Sequence, residues 1–481
     1  VRGRFGISAM IQERTIMEEK IYRSYIEILK EELVPALGCT EPIAIAYAAA
    51  KAAEILKESN GEKVQIAEHK TEEKAGAADR NGAKSILQIA SDNCNGHLDV
   101  YCSGNNIKNV KSVTVPNSGG MRGIEAAALL GLVGGDASRK LEVLEGITEE
   151  QREETRRLLE KKFCTCYLQE GVANLYIRAE LTLEGHSACV TIEDKHTNII
   201  KIEKDGVILF EKACKAEADA GAKEQSDKRA LLNVADILQF ADEVRIEDIK
   251  DVIGRQIEMN TAISEEGLRN PYGAEVGRTL LNAYGDDIKI RAKAKAAAGS
   301  DARMNGCSMP VVINSGSGNQ GMTCSLPVIE YAKELKVPEE QLYRALVVSN
   351  LVAIHQKSYI GSLSAYCGAV SAACGAGAAI AWLNGGDYEA VARTITNALA
   401  NTSGMVCDGA KSSCAAKIAS AVDAAIMAYT LESANHCFQP GEGLVKDNVE
   451  DTIRNMGYVG RVGMKDTDVT ILNLMIDQQQ A

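Results

Sequence analysis

The sequence is poor in aromatic residues. Only 4% of its 481 residues are Phe, Trp or Tyr, and there is a single Trp. The interior must therefore be packed largely with Ala, Gly, Val, Ile and Leu, and such small side chains favour close approach of one backbone to another. At roughly 150 residues per domain, the length predicts two to four compact units.

Basic residues are also in deficit. The chain has 53 Lys and Arg against 66 Asp and Glu, which gives a formal net charge of -13. This balance argues against a nucleic acid or an anionic membrane as a partner. A small acidic or zwitterionic substrate remains compatible with it, because a local pocket can be positive on an acidic protein. The H-E-x-x-H, Gly-x-Ser-x-Gly and Walker A signatures of common hydrolases and phosphoryl-transfer enzymes do not occur in the sequence.

A secretory signal is not recognisable either. Residues 1–17 lack an initiator Met and an apolar core, and we interpret them as a tag-like or flexible N-terminus. The 14 cysteines then indicate reduced thiols, metal ligands or catalytic groups in a cytoplasmic protein rather than a disulfide framework. The one long uncharged run, Ser358 to Gly386, is too rich in Ala and Gly for a lipid-facing span, so it predicts a buried helix.

The hydrophobic periodicity changes twice along the chain. Helical spacing dominates both ends, and two of the later helices are predicted over Thr261 to Tyr284 and Tyr359 to Trp382. Partial alternation predicts strands between the two helical parts. These strands are Leu98 to Cys102, Val110 to Val115, Leu175 to Leu183 and Ile199 to Glu203.

The predicted fold class is therefore α+β. A mostly helical, Ala- and Gly-rich catalytic domain is formed by residues 18–62 and 235–481, so it is discontinuous in sequence. An α+β domain with a mixed or antiparallel sheet is inserted between its two parts, at residues 63–234.

Two glycine-rich loops precede predicted helices. One of them, Gly316 to Gly321 (GSGNQG), matches G-x-G-x-x-G but lacks the βαβ context of a dinucleotide site. Such a loop directs free backbone N–H groups at an anion such as a carboxylate, although a tight turn also explains the glycines. The second loop, from Pro116 onward, has the same texture. The candidate substrate-binding residues are Asn117, Ser118, Asn314, Ser315, Gly316, Ser317, Gly318, Asn319 and Gln320.

Some cysteines recur at a spacing of seven residues. Cys367 precedes Cys374, and Cys407 precedes Cys414, by an interval that places two thiols on one helix face. None of the four belongs to a C-x-x-C motif, so the common zinc and ferredoxin spacings do not apply. Burial in an Ala-rich core is the alternative explanation. Cys39 is expected at a helix N-terminus, because Thr40 to Pro42 has the residue types of a helix start. Cys407 is expected at another, with Asp408 as the cap, and the dipole at both positions favours a thiolate.

Four separated motifs resemble the L-cysteine desulfidase family, which is related to the α part of iron–sulfur L-serine dehydratases. The resemblance covers almost the whole chain, and the motifs occur in the order of that family. They are Leu37 to Pro42 (LGCTEP), Asn314 to Gly321 (NSGSGNQG), Gly361 to Cys367 (GSLSAYC) and Ser403 to Ala410 (SGMVCDGA).

The resemblance implies an iron–sulfur enzyme. Its [4Fe-4S] cluster would be held by Cys39, Cys367 and Cys407, with one iron open to the substrate and without pyridoxal phosphate. The implied reaction releases sulfide from L-cysteine to give 2-aminoacrylate, which hydrolyses to pyruvate and ammonia. For the base that removes the Cα proton, His196 is the first candidate because its segment (HTNI) resembles a family motif. Lys357 and a cluster-bound hydroxide compete with it.

Two other functions remain open. An iron–sulfur L-serine dehydratase would bind the hydroxyl of serine where the desulfidase binds a thiolate. A non-enzymatic protein would use the same loops and thiols to bind a metal or a small molecule without turnover. The expected partner in each enzyme is a small amino acid, with no nucleic acid or membrane, and the Ala- and Gly-rich helices are compatible with a homodimer.

Overall fold

The computed structural model describes residues 17–57, 96–212, 228–361 and 364–476. The interpreted N-terminal tag, apart from Met17, lies outside these residues, and so does the polar stretch from Glu68 to Asp92. The predicted domain boundary at residues 62 and 63 also falls outside them, and the division into two domains stays a prediction.

Helices and strands follow one another in three groups along the described residues. The first group is α1 (Glu19–Glu32), β1 (Pro35–Leu37), α2 (Thr40–Lys57), β2 (Gly96–Cys102), α3 (Gly104–Val110), α4 (Ile124–Gly134), a 3-10 helix (Ala137–Glu142) and α5 (Glu149–Glu160). The second group is β3 (Cys164–Leu168), β4 (Tyr176–Leu183), β5 (His186–Glu193), β6 (Ile199–Lys204) and β7 (Val207–Glu211). The third group is α6 (Val234–Glu243), α7 (Ile246–Arg269), α8 (Val276–Tyr284), α9 (Ile288–Met304), β8 (Pro310–Val312), α10 (Gly318–Leu335), α11 (Glu339–Ile360), α12 (Gly368–Leu383), α13 (Tyr388–Thr402), α14 (Cys414–Ser433), α15 (Val449–Tyr458), a π-helical turn (Val459–Gly463) and α16 (Lys465–Met475).

Strands β2 to β7 form one mixed sheet in the order β3-β2-β4-β5-β6-β7. Strands β2 and β3 run parallel, with Val100 opposite Cys166, and the other neighbouring pairs are antiparallel. Strands β1 and β8 form a separate antiparallel pair, in which Ala36 lies opposite Val311. The predicted α+β fold, mostly helical with a mixed sheet, is confirmed.

Helix α2 packs on the sheet, against β4 and β5, and beside α4. Most residues of the helix are apolar, and its alanines are buried. A β-carbon at Gly131 of α4 would lie 2.2 Å from the carbonyl oxygen of Ala46, so the two helices touch backbone to backbone. This contact fixes the start of α2, and Cys39 in front of it, relative to the sheet.

The later helices pack through small side chains in the same way. A β-carbon at Gly375 of α12 would lie 2.3 Å from the carbonyl oxygen of Ser349 in α11. One contiguous hydrophobic core extends from sheet residues such as Val190 to helical residues such as Val352. The scarcity of aromatic residues is thus matched by helices that approach each other closely.

Two predicted elements differ from the structure for reasons that are local. The predicted strand Val110 to Val115 is wrong, because Val110 ends α3 and a turn follows. Val110 is buried from the helix, and Val113 and Val115 are buried from the turn and loop that follow it, instead of from a strand. The predicted helix Thr261 to Tyr284 is two helices, α7 and α8, since Pro271 lies between them and cannot continue a helix.

The uncharged run from Ser358 to Gly386 is also not one helix. Helix α11 ends at Ile360, Gly361 has φ +98°, and α12 begins only at Gly368. Positive φ is accessible to glycine and ends the helix there. The interruption places Cys367 at the N-cap of α12 instead of on the face of a continuous helix.

One described helix, α14, is long and apolar enough to cross a membrane by length and composition alone. Half of its apolar stretch is buried inside the protein. Core helices of soluble proteins pass the same test, so this helix is weak evidence for a membrane span.

Candidate active site

Cys367 and Cys407 lie side by side. An isolated antiparallel bridge joins Tyr366 to Val406, and the amide of Cys367 donates to the carbonyl of Met405 over 3.0 Å. The Cys367 thiol donates a hydrogen bond to the sulfur of Cys407, which raises the pKa of Cys367 well above its usual value. These opposite shifts favour the thiol form of Cys367 and the thiolate form of Cys407.

Cations and a backbone amide surround Cys407. The hydrogen bond from Cys367 lowers the pKa of Cys407 to about 6 against the effect of burial, with help from Lys108, the Gly409 amide and Lys417. The expected helix N-terminus at Cys407 is not there, because α14 begins at Cys414. The thiolate is favoured by neighbouring charges and donors instead of by a helix dipole.

Lys357 lies beside this pair, in the last turn of α11. Burial lowers its pKa to about 8, and the sulfurs of Cys407 and Cys367 oppose that shift. A lysine with such a pKa is partly neutral near neutral pH, so it can accept a proton.

Cys39 immediately precedes α2 and is buried. Its thiol donates to Oε2 of Glu41 over 3.1 Å. Burial, and then the charge of Glu41, raise the pKa of Cys39 well above its usual value. In the protein alone Cys39 is therefore a protonated thiol, which differs from the thiolate expected from the helix dipole, because desolvation outweighs that dipole.

His196 belongs to the turn between β5 and β6 and reaches the Cys39 region. Burial lowers the pKa of His196 while the charge of Glu41 raises it, and the net shift is downward. Its Nε2 atom is buried without a hydrogen-bond partner among the described residues. A neutral imidazole with a vacant nitrogen can act as a base.

Glu41 is held as a carboxylate. Burial alone would raise its pKa, but His196, the Cys39 thiol, its own backbone amide and Arg303 together lower it. The Asn109 amide donates to its Oε1 over 3.3 Å. Glu41 thus links α2 to α3 and supplies a fixed negative charge.

The loop that begins at Asn314 connects these groups. The Thr40 hydroxyl donates to the Gly316 carbonyl over 2.9 Å, and a β-carbon at Gly316 would lie 3.4 Å from His196 Cε1. A β-carbon at Gly368, which follows Cys367, would lie 2.5 Å from Cδ of Gln320. The loop therefore touches the Cys39 segment at one end and the Cys367 segment at the other.

The predicted substrate-binding residues of this loop are used in different ways. Asn314 donates to Oδ1 of Asn350 in a buried network and accepts from the Ser315 hydroxyl. Ser317 makes no side-chain cap to the helix that starts at Gly318. The carboxamide oxygens of Asn319 and Gln320 are buried without partners among the described residues.

The two predicted residues of the other loop have their side chains engaged elsewhere. The Asn117 carboxamide donates to the carbonyls of Leu144 and Glu145, over 2.9 and 3.3 Å. The Ser118 hydroxyl donates to the Met121 carbonyl. Their role in substrate binding stays a prediction.

Sequence reasoning missed Arg303, at the end of α9. Its side chain is 2% exposed, and its Nε has no hydrogen-bond partner among the described residues. A β-carbon at Gly318 would lie 2.4 Å from that Nε, so the guanidinium is seated against the first turn of α10. The available signal was an arginine in the last turn of a helix whose second half is rich in Ala and buried.

The arrangement can be tested for an iron–sulfur cluster. The described residues include no three His, Cys, Asp or Glu side chains gathered closely enough for a single metal ion. Each cysteine of a cubane binds a different iron, so its ligands are spread more widely than those of one ion. Cys367, Cys407 and Cys414 influence each other electrostatically and fit as such donors. The ligand role of Cys39, whose thiol is bound to Glu41, stays a prediction.

Known proteins match the chain over most of its length. A family profile described as serine dehydratase alpha chain matches residues 138–473. A UPF0597 protein of Lachnoclostridium phytofermentans is 52% identical over 95% of this chain and 100% of its own, and one of Desulfitobacterium hafniense is 48% identical over 98% and 99%. A UPF0597 protein of Treponema denticola is 45% identical over 96% and 99%. The chain belongs to the serine dehydratase alpha-chain family.

Proposed function

We propose that this protein is a pyridoxal-phosphate-independent lyase that eliminates sulfide from L-cysteine. The observation that carries the proposal is the half-buried pair of Cys367 and Cys407, in which the thiolate form of Cys407 is favoured, beside a buried lysine whose pKa is lowered. Membership of a dehydratase family supports an elimination, because both reactions remove a β-substituent from an amino acid.

We propose a [4Fe-4S] cluster on Cys39, Cys367 and Cys407, with Cys414 as the competitor of Cys39. When bound through three cysteines, such a cluster supplies an open iron that acts as a Lewis acid toward the leaving group. The thiolate character of Cys407 supports ligation, since only the deprotonated sulfur binds a metal.

The chain's own residues then handle the proton. A neutral His196 or Lys357 accepts the Cα proton, and the electron pair of the Cα–H bond forms the Cα–Cβ double bond. The Cβ–S bond breaks and its electron pair leaves with the sulfide. The product 2-aminoacrylate takes up water and yields pyruvate and ammonia. The Gly316 to Gln320 loop binds the substrate's polar groups.

L-serine dehydration is the second candidate, and the family description favours it. The hydroxyl would leave as water, and the same 2-aminoacrylate would follow. The two functions differ in the leaving group, so the released product separates them.

The deciding experiment is an anaerobic reconstitution with iron and sulfide, followed by assays on both amino acids. The desulfidase proposal expects sulfide and pyruvate in equal amounts from L-cysteine, with a higher kcat/KM than pyruvate formation from L-serine. The reverse order of kcat/KM would make the protein a serine dehydratase. A folded sample that binds iron but releases no product from either would refute the lyase.

Single cysteine variants test the cofactor. Cys367→Ser and Cys407→Ser are expected to lose both the cluster's visible absorption and sulfide release, since each removes a ligand. Cys437→Ser is the matched control, because Cys437 lies in the segment after α14 and donates to the carbonyl of Phe438. If Cys39→Ser keeps its iron and Cys414→Ser loses it, the third ligand is Cys414 instead of Cys39.

The base is tested by His196→Gln and Lys357→Met. Loss of the base is expected to lower kcat by about a hundredfold or more, since that is the usual contribution of a general base. Binding of L-serine should be unchanged in the same variant. If both variants keep wild-type kcat, neither residue is the base.

The setting of the enzyme is part of the proposal. We propose a cytoplasmic protein that acts on a small amino acid, without a nucleic acid or a membrane as partner, and that forms a homodimer. The reduced thiols support a cytoplasmic location, and the acidic net charge argues against a nucleic acid or a membrane as partner. The helices rich in small residues support the homodimer.

A further inference from the structure

Arg303 carries a buried charge that no carboxylate neutralises at ion-pair distance among the described residues. The carboxylate of Glu41 influences this region but accepts hydrogen bonds from the Cys39 thiol and the Asn109 amide. A buried charge without a partner is unfavourable, and proteins retain one where a ligand supplies the partner.

The guanidinium lies against backbone donors. It is seated at Gly318, the first residue of α10, and Ser317 provides no side-chain cap. The first N–H groups of a helix have no acceptor within the helix, and here the first backbone hydrogen bond of α10 runs from Gly321 to Ser317. The donors of Arg303 and of this helix turn therefore lie together.

Two acceptors lie on the same turn. Oδ1 of Asn319 and Oε1 of Gln320 are buried without donors, and the Asn319 amide nitrogen is turned to the sulfur of Met304. The Gln320 amide lies against Gly368, next to Cys367. One helix turn thus offers positive donors on one side and acceptors on the other.

We propose that Arg303 and the first turn of α10 bind the α-carboxylate of a free amino acid, while Asn319 and Gln320 accept hydrogen bonds from its α-ammonium group. This inference rests on the proposed function and assigns Arg303 as the residue that makes the site specific for a free carboxylate. It places the amino acid's backbone beside Cys367, so that its side chain faces the thiol pair.

The acceptors exclude simpler anions. Phosphate or sulfate would satisfy Arg303 but would leave both carboxamide oxygens without donors and close to negative charge. An amino acid satisfies both sets, because its ammonium group donates where its carboxylate accepts. An amino-acid amide lacks the carboxylate that Arg303 requires. In a peptide the free carboxylate and the free ammonium group belong to different residues, so one residue cannot satisfy both sets.

The test is calorimetric binding to the cluster-free full-length protein, with L-serine, L-serinamide and ethanolamine as probes. Wild type is expected to bind L-serine in the millimolar range or tighter, and at least about tenfold better than the other two. Arg303→Gln should reduce that preference to less than about twofold. Arg393→Gln is the control, since its Nε is also buried without a partner but it lies on α13.

Folding is separated from binding by two further measurements. Arg303→Gln removes an unpaired buried charge, so the urea midpoint of the free protein should rise, whereas a purely structural arginine would lower it. Gly318→Ala keeps the charge but places a methyl group against Nε, and it should weaken L-serine binding as Arg303→Gln does.

The outcomes distinguish this site from the proposed function. Equal binding of L-serine and L-serinamide by wild type, or an unchanged preference in Arg303→Gln, overturns the site even if the enzyme turns over. An Arg303-dependent preference in a protein that yields no product from cysteine or serine supports the site and refutes the lyase.

Discussion

Asn260, in the middle of α7, is predicted to hold the strand that leads into the active-site loop. Its side chain is fully buried. Oδ1 accepts from the Val312 amide over 2.9 Å, and Nδ2 donates to the Val312 carbonyl over 3.2 Å and to the Ser325 hydroxyl over 3.0 Å. One carboxamide thus satisfies both backbone groups of β8's last residue.

Asn260→Leu keeps the branched shape and the number of side-chain heavy atoms and removes these hydrogen bonds. An unsatisfied buried donor or acceptor costs about 1 to 3 kcal/mol, so the two Val312 groups together cost about 2 to 6 kcal/mol. The burial of the apolar leucine side chain offsets part of this cost. The expected loss in the free energy of unfolding is therefore about 2 to 4 kcal/mol.

Urea unfolding with a common m-value measures the difference. Asn270→Ala is the matched control, because Asn270 ends the same helix and its amide bonds only to the exposed side of Glu266. That control should change stability by less than about 0.5 kcal/mol. A loss below about 1 kcal/mol in Asn260→Leu would refute the reasoning that Val312 depends on this carboxamide.

Two further predictions concern packing and pH. Gly131→Ala should lower the free energy of unfolding by about 1 to 3 kcal/mol in thermal unfolding, because the new methyl group would meet the backbone of Ala46. Gly146→Ala is the control and should have no effect, since there is open space around Gly146. Equal losses in the two variants would contradict the packing argument. Burial raises the pKa of Asp301 to about 6, against the hydrogen bond from Gly277. Since the folded pKa lies above the unfolded one, stability should fall as pH rises from about 4 to 6, by about 1 to 2 kcal/mol after screening. Asp301→Asn should flatten that part of the stability curve, and an unchanged slope would exclude Asp301 as its source.

Much of the secondary structure could be predicted because its signal is local. The α1 and α5 helices and the β4 and β6 strands follow from periodicity within a few residues. The failures are also instructive. Val110 is buried at the end of a helix, and Val113 and Val115 are buried from the turn and loop after it, although the segment predicts a strand. The uncharged run that predicts one helix is broken at Gly361. Periodicity reports which residues are apolar but not which neighbour buries them.

The candidate site was predicted in part for the same reason. The cysteine motifs and the Gly316 loop stand out by composition. Arg303 does not, because a lone arginine at a helix end resembles many solvated ones. Its burial depends on Gly318, which lies beyond β8 and admits the guanidinium only when α9 and α10 pack together.

The sequence by itself determined the α+β class, helices such as α1 and α5 and strands such as β4 and β6, because these depend on residues close together in the chain. It also supplied the thiol-rich motifs and the family, which follows from a match over most of the chain. Only the tertiary structure decided that the thiol of Cys367 lies against the sulfur of Cys407, that His196 lies beside Glu41 and that the Asn117 side chain donates to the Leu144 carbonyl. Protonation and hydrogen-bond partners are set by the groups that packing brings within a few ångströms. Those groups come from distant parts of the chain, where no local pattern connects them.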